Sequence, residues 1–471
     1  MIKQEALALY RLGRRPTITV LLAQSDTIRQ QAQHIKTLQA ENVQLRQQLA
    51  LAKHHPATPS GMQPVYAKST VKKRCRRPGA KPGHIGHYRP LPLKINNVVE
   101  HTLTCCPDCQ GPLSEGKATR SRYIEDIPPI EPLVTQHILH RYWCRACNKA
   151  VEPVVIGAFP RCILGNNLLV FTSWLHYSLG VTVDKVVELL NVSCHFKVTA
   201  GGLQQAWQRL AHRLNEDYKQ LAKAVKTSPV LHADETGWRV SGRTHWLWCF
   251  THPRLTYYAI ERNRGSPVVL KVLGTNFAGV LVTDFYAAYN AAQALFHQRC
   301  LAHLDREIEK VDLTDDSLPW KIFRKKLRRW IRDARALGCL RDTIPSDLFQ
   351  HRRNSLEDRL VLLGYTPHLQ TKYARRLAGR LHRFRHQLLT FLDRPGIPSD
   401  NNHAERQIRP AVIIRKNSFC NRSKKGARVQ ATMMSIFQTL RLRSIDPMKA
   451  LNQGVAHHLA TGQRPLAASI G

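Results

Sequence analysis

A chain of 471 residues has room for a large core and for several domains. Its 71 Lys and Arg against 33 acids give a net charge of +38, which favours a polyanionic partner: nucleic acid, with a membrane surface the weaker alternative. No apolar run nears bilayer length, the N-terminus has no signal-peptide core, and 12 cysteines in so long a chain do not form a disulfide scaffold, so spanning, secreted and disulfide-stapled classes are set aside.

From Leu21 a heptad runs through Ile28, Ile35, Asn42 and Leu49 at a, with Gln24, Gln31, Leu38 and Leu45 at d. A lone Asn at a predicts a parallel homodimer in fixed register, a zipper over 17–53. Residues 54–98 carry repeated prolines, and Lys72 to Lys94 holds eight Lys or Arg and no acid. This predicts a basic arm whose Arg76, Arg77 and Lys81 enter a minor groove or simply add nonspecific attraction. Cys106-x-x-Cys109 and Cys144-x-x-Cys147 are two knuckles 34 residues apart, the donor set of one structural zinc in a reducing cytosol. Of the adjacent Cys105 and Cys106, Cys106 is the expected ligand. Between the knuckles, Tyr123–Ile127 and Leu133–Tyr142 read as strands of a zinc ribbon within 99–158.

Residues 159–227 read as helices, either a helix-turn-helix reader or a plain three-helix spacer. From 228 to 440 the pattern predicts an α/β domain, giving a multidomain α+β chain with a tail over 441–471. Val230–Ala233 leads to Asp234 and Val280–Thr283 to Asp284, each acid placed where a strand ends. Thr244–His252 and Leu255–Ile260 form a hairpin, and Ser266–Leu273 a helix. A strand, hairpin, helix and fourth strand in this order match an RNase H-like fold, in which Asp234 and Asp284 become neighbours. An Arg-rich helical insertion occupies about 303–395, with Cys300 and His303 forming a packed turn near the site. Glu405 follows in a helix start, as a metal ligand or, at capping-box spacing from Asn402, as a cap. Two strand-end aspartates and a helical glutamate suit a pair of magnesium ions, the means of cutting a phosphodiester. Glu235 is the competing ligand beside Asp234. Arg406, Arg409, Arg415 and Lys416 flank the catalytic helix as phosphate contacts.

Leu231-His-Ala-Asp-Glu-Thr-Gly-Trp238, Thr283-Asp-Phe-Tyr-Ala-Ala-Tyr289, Cys300-Leu-Ala-His303 and Asp400-Asn-Asn-His-Ala-Glu-Arg-Gln-Ile-Arg-Pro410 with Arg415-Lys-Asn417 resemble the insertion-sequence 66 family transposases. The resemblance extends over nearly the whole chain. It implies a bacterial, cytoplasmic DDE transposase carried beside two small accessory proteins, acting on double-stranded element ends and target. It implies that Asp234 bridges two Mg2+ (or Mn2+) ions, with Asp284 and Glu405 each favouring one. Water would release a 3′-hydroxyl that then attacks target DNA. His403 stands where the family usually has Ala. The competing classes are a nuclease that hydrolyses without joining and a catalytically silent or domesticated DNA-binding relative.

Overall fold

The computed structural model describes residues 13–53, 83–85, 90–117, 120–365 and 368–470. Arg76, Arg77 and Lys81 of the expected basic arm therefore lie outside the described residues. The N-terminal heptad lies on one helix, Arg14–Lys53, on which Leu21, Ile28, Ile35, Leu38 and Leu45 all stand exposed. Among the described residues no helix is long and apolar enough to cross a membrane.

The segment with the two knuckles has little regular structure. Strand β1 (Tyr142–Cys144) pairs antiparallel with β2 (Lys149–Val151) around the second knuckle. The expected strands at 123–127 and 133–142 do not form, apart from Tyr142. Pro128, Pro129 and Pro132 remove ladder donors there, and Ile124, Ile127, Leu133 and Val134 remain exposed with no facing sheet.

The main body is a five-stranded sheet in the order β5-β4-β3-β6-β7. β3 (Val230–Val240), β4 (Arg243–His252) and β5 (Leu255–Glu261) form an antiparallel meander, while β6 (Asn276–Thr283) and β7 (Gln293–Arg299) run parallel to β3. Two expectations change here. β3 does not end at Asp234: it continues to Val240 because the hairpin with β4 carries it onward. The hairpin closes in two residues, Ser241 (φ 51°) and Gly242 (φ 73°), the twist that joins right-handed strands. β7 is an additional strand, hidden in the sequence because Gln293, His297, Gln298 and Arg299 make it look polar.

Alternation along the strands sorts the layers. Leu231, Ala233 and Leu281 face a core built from helices within 166–226, Ser266–Leu273 and Lys424–Thr461. Val230, Val280 and Val282 face the insertion, whose helices Leu301–Asp312, Leu318–Cys339, Ser346–Gly364 and Lys372–Phe384 bury Trp320, Trp330, Leu360 and Leu381 at helical spacing. The segment after 441 is thus no loose tail: Leu451 and Val455 of the Pro447–Thr461 helix are buried in the first core.

Near that C-terminal segment, fully buried Asp217 lies with Oδ1 3.1 Å from Arg464 Nε. Burial pushes its carboxyl up to about 6, with Arg464 pulling the other way. The folded chain then holds this proton more tightly than the unfolded chain does. Stability from this group is accordingly fullest below about pH 4 and falls as pH rises through about 6, by about 3 kcal/mol. Asp217→Asn is expected to flatten the melting-temperature profile over that window; a variant with the parent's slope would remove Asp217 as the cause.

Candidate active site

The sheet register brings the two aspartates together. His232 pairs with Val282 on the parallel neighbour, and Asp234 and Asp284 each follow two residues further along their chains. Strands lie about 4.8 Å apart in such a pair. β6 ends at Thr283, leaving Asp284 just beyond it.

The same face of β3 receives the Asn402–Ser418 helix, in whose first turn Glu405 lies. Asn401, fully buried, anchors that helix start: its Oδ1 lies 3.0 Å from His232 Nδ1, its Nδ2 donates to Ala233 O at 2.8 Å, and its backbone N–H donates to Cys300 Sγ at 3.1 Å. Farther along, Arg415 donates to Thr236 Oγ1 at 2.9 Å and to Gly237 O at 2.5 Å. Even-numbered residues of β3 therefore face this helix, and Asp234 lies among them.

Glu235 points the other way. It is buried, accepts from Arg264 Nη2 at 2.9 Å and from Tyr289 Oη at 2.5 Å, and burial, with Asp284 adding, raises its carboxyl to about 7. Arg264 is stacked between Trp246 and Tyr286, 4.4 and 4.3 Å from their ring centres. Tyr286 N–H in turn donates to Asp284 Oδ1 at 2.8 Å. The Asp284 carbonyl accepts from buried Arg299 at 2.9 Å, and the same guanidinium donates to Thr283 Oγ1 and Gln387 Oε1. Asp284 is thus held at its side chain by Tyr286 N–H and at its carbonyl by Arg299.

The other acids act on Asp234 through space. Burial pushes the Asp234 carboxyl well above the usual carboxylate range, and Glu235, Asp284 and Glu405 push it further. Glu405 does not cap its helix: Arg306 Nη2 donates to both its oxygens, at 2.6 and 2.9 Å, and His303 Nδ1 is 3.7 Å away. Burial keeps His303 toward its neutral form. Arg306 and His303 are a helical turn apart on the Leu301–Asp312 helix, and their Nη1 and Nε2 atoms are 3.2 Å apart. His403 meets Thr251 Oγ1 at 3.1 Å, on the β4 side of the helix.

The thiol sites are formed locally. Backbone N–H groups of Cys109 and Asp108 pull the Cys106 thiol down, and that of Cys147 does so for Cys144, 3.4 Å from its sulfur. This is how a knuckle prepares a thiolate to bind metal. Cys105 instead turns to Gln110 Oε1 at 3.2 Å. Among the described residues, however, no three His, Cys, Asp or Glu side chains converge on a single point suited to a metal ion. That holds for the knuckles and for the carboxylates.

Residues 161–429, more than half of the chain, match the family described as "Transposase IS66 family". The chain belongs to this family. Residues 104–148 also match the "zinc-finger binding domain of transposase IS66". The family carries a transposase role with DNA as partner, and the second match supports zinc. Two similar proteins come from Sinorhizobium fredii. "Uncharacterized protein y4qI" is 29% identical over 435 residues, 84% of this chain and 77% of that one. "Uncharacterized protein y4jD" is 24% identical over 442 residues, 83% of this chain and 81% of that one.

Within this IS66 transposase the phosphate contacts expected from sequence divide. Arg406, Arg409 and Lys416 are exposed, whereas Arg415 is committed inward to β3. Sequence reasoning missed Arg264, Arg299, Arg306 and Asn401. Only Arg306 carried a signal, three residues after His303 on one helical face; the others act across long separations.

Proposed function

We propose that this IS66 transposase cleaves DNA strands and joins them by DDE chemistry, with Asp234, Asp284 and Glu405 as the acids. The observation that carries the reading is the sheet order β5-β4-β3-β6-β7, which matches that of an RNase H-like domain, with Asp234 on β3, Asp284 just past the neighbouring β6 and Glu405 in the first turn of the helix packed on β3. The donor set suits magnesium, which takes hard oxygens and keeps its waters. A bound pair of such ions would activate the attacking oxygen and stabilise the leaving one. Burial, and then the negative charges of Glu235, Asp284 and Glu405, raise the Asp234 carboxyl, and a bound cation would relieve that cost.

The chain's own residues prepare that site. Asn401 fixes the helix start that carries Glu405, and Arg299 and Tyr286 fix Asp284. Arg306 holds Glu405 in a two-point ion pair, so loading the site requires Glu405 to leave Arg306 or share it. Cys106, Cys109, Cys144 and Cys147 would together hold one structural zinc, which requires the two knuckles to close on each other. The basic arm and the exposed Arg406, Arg409 and Lys416 would contact phosphates.

The test supplies purified protein with duplexes carrying the element's own ends, a target plasmid and magnesium. Joined product is expected, and none in chelator. Cleavage without joining identifies a nuclease, and DNA retention without cleavage a silent binder.

The exposed heptad supports a parallel zipper that would hold two element ends together. Leu38→Gln with Leu45→Gln removes two core leucines per chain, each worth about 1.5–3 kcal/mol of burial. Self-association of the full chain is expected to weaken at least about a hundredfold. Sedimentation equilibrium reads this, and a parent chain that stays monomeric at high concentration sinks the zipper.

A further inference from the structure

The Asn402–Ser418 helix ends in a feature that its fold does not explain. Phe419, its C-terminal cap, is 88% exposed and sits in the left-handed region at φ 53°, ψ 29°, and Cys420 follows at φ 71°. Glycine is the usual residue at such a cap, because a side chain there costs on the order of 1 kcal/mol. A phenylalanine in that conformation bears the strain and buries almost none of its ring, so folding gains nothing from the choice.

The turn itself is firmly held. Asn421 N–H donates to Arg239 O at 3.2 Å, Ser241 N–H donates to Asn421 O at 3.0 Å, and Trp238 Nε1 donates to Asn421 Oδ1 at 2.8 Å. Ser241 Oγ donates to Arg422 O at 2.8 Å. The tip of the β3–β4 hairpin thus fixes the turn while Phe419 projects from it. Trp238, Val240 and Cys420 pack beneath in a small core of their own.

Its surroundings have one sign of charge. From Arg406 to Arg428 the chain has eight Lys or Arg and no acid. Of these, Arg406, Arg409 and Lys416 are exposed along the helix, and Arg422, Lys424 and Lys425 are exposed just beyond Phe419. Exposed Ile413 lies on the same stretch. Glu405 and Phe419 are fourteen residues apart, about 20 Å along a helix. That is about six base-pair rises at 3.4 Å each.

We propose that Phe419 is a nucleobase contact: its ring stacks on or inserts beside a base of duplex DNA about six pairs from the phosphate lying at the Glu405 end of this helix, while the flanking cations hold the backbone. This deepens the proposed function and rests on it for the position of that phosphate. The cations give the attraction to a polyanion, and the rigid, projecting ring meets the π-face that every base offers. Aromatic or aliphatic wedges that part base steps work in this way.

The test uses the full chain in chelator, so that cleavage plays no part, and duplexes of random sequence carrying 2-aminopurine at every third position. The parent is expected to raise 2-aminopurine fluorescence on binding, by unstacking. Phe419→Ala and Phe419→Gly should both lose that rise and bind about tenfold more weakly, with an unchanged salt slope because the phosphate contacts remain. Phe419→Trp should keep the rise. The Ala and Gly variants together separate the ring from the turn: Gly relieves the backbone strain, so a DNA effect seen in Ala and absent in Gly would overturn the proposal. So would a parent-like fluorescence rise in Phe419→Ala, or a change in that variant confined to self-association, which would assign the ring to a second copy of the chain. Failure of Asp234→Asn to block cleavage would instead overturn the acid assignment and leave the fluorescence result standing.

Discussion

Asp234→Asn, Asp284→Asn and Glu405→Gln are each expected to lower strand cleavage and strand joining by at least about a thousandfold in magnesium, since each removes a ligand charge and keeps the side-chain size. DNA retention should be unchanged, because the basic surface lies outside the three carboxylates. Gel analysis of a labelled element end reads cleavage and joining separately, and filter binding in chelator reads retention. Asp400→Asn is the control: among the described residues its carboxylate accepts only from Asn402 N–H, at 3.0 Å, and cleavage should persist. Glu235→Gln is a poorer control than the sequence suggests. Glu235 is a buried acceptor for Arg264 and Tyr289, so its replacement disturbs packing as well as chemistry. Lost activity in that variant has to be read beside its melting temperature. Normal cleavage by Glu405→Gln with a dead Asp400→Asn would name the wrong third acid, and parent-like cleavage by all three acid variants would leave the DNA-binding reading as the better one.

The second large effect concerns zinc. One zinc per chain is expected, and Cys144→Ser with Cys147→Ser should abolish it and unfold residues 106–147. The magnitude follows from how little else holds this segment. β1 and β2 are three residues each, and the apolar side chains from Ile124 to Leu139 stay exposed, whereas a structural zinc contributes about 10–16 kcal/mol in small finger peptides. Limited proteolysis should cut this region in the variant or after chelation and spare the sheet. DNA affinity should fall in parallel. A folded, DNA-binding preparation with zinc content near zero would refute the site.

Much of this was legible from sequence where chemistry is local. The apolar runs Val230–Ala233 and Val280–Thr283, the Cys-x-x-Cys pairs and the Glu405 helix start each declare themselves within a few residues. The order of strand, hairpin, helix and strand then suffices to make Asp234 and Asp284 neighbours. What stayed hidden depends on partners far away in the chain. β7 looks polar because Arg299 is buried against Thr283 and Gln387 rather than facing water. Much of the insertion's arginine content, which reads as a surface for DNA, is spent on internal ion pairs such as Arg324–Asp312, Arg335–Asp305 and Arg353–Asp393. Tyr123–Ile127 has strand composition but no partner to pair with, and composition cannot supply one.

The outer edge of β5 carries a consequence for synthesis of the chain. Its backbone N–H groups at Thr256 and Tyr258 donate to Thr439 Oγ1 and Ser435 Oγ, hydroxyls on the Lys424–Leu442 helix. Thr439 lies 183 residues after Thr256. At about 5–20 residues per second a ribosome takes about 10–40 s to make that span. Throughout that interval the nascent meander presents an uncovered edge, the kind that pairs with a neighbouring chain. Copies growing side by side on one message would be exposed together, so the yield of folded protein should depend on how quickly the helical insertion is translated.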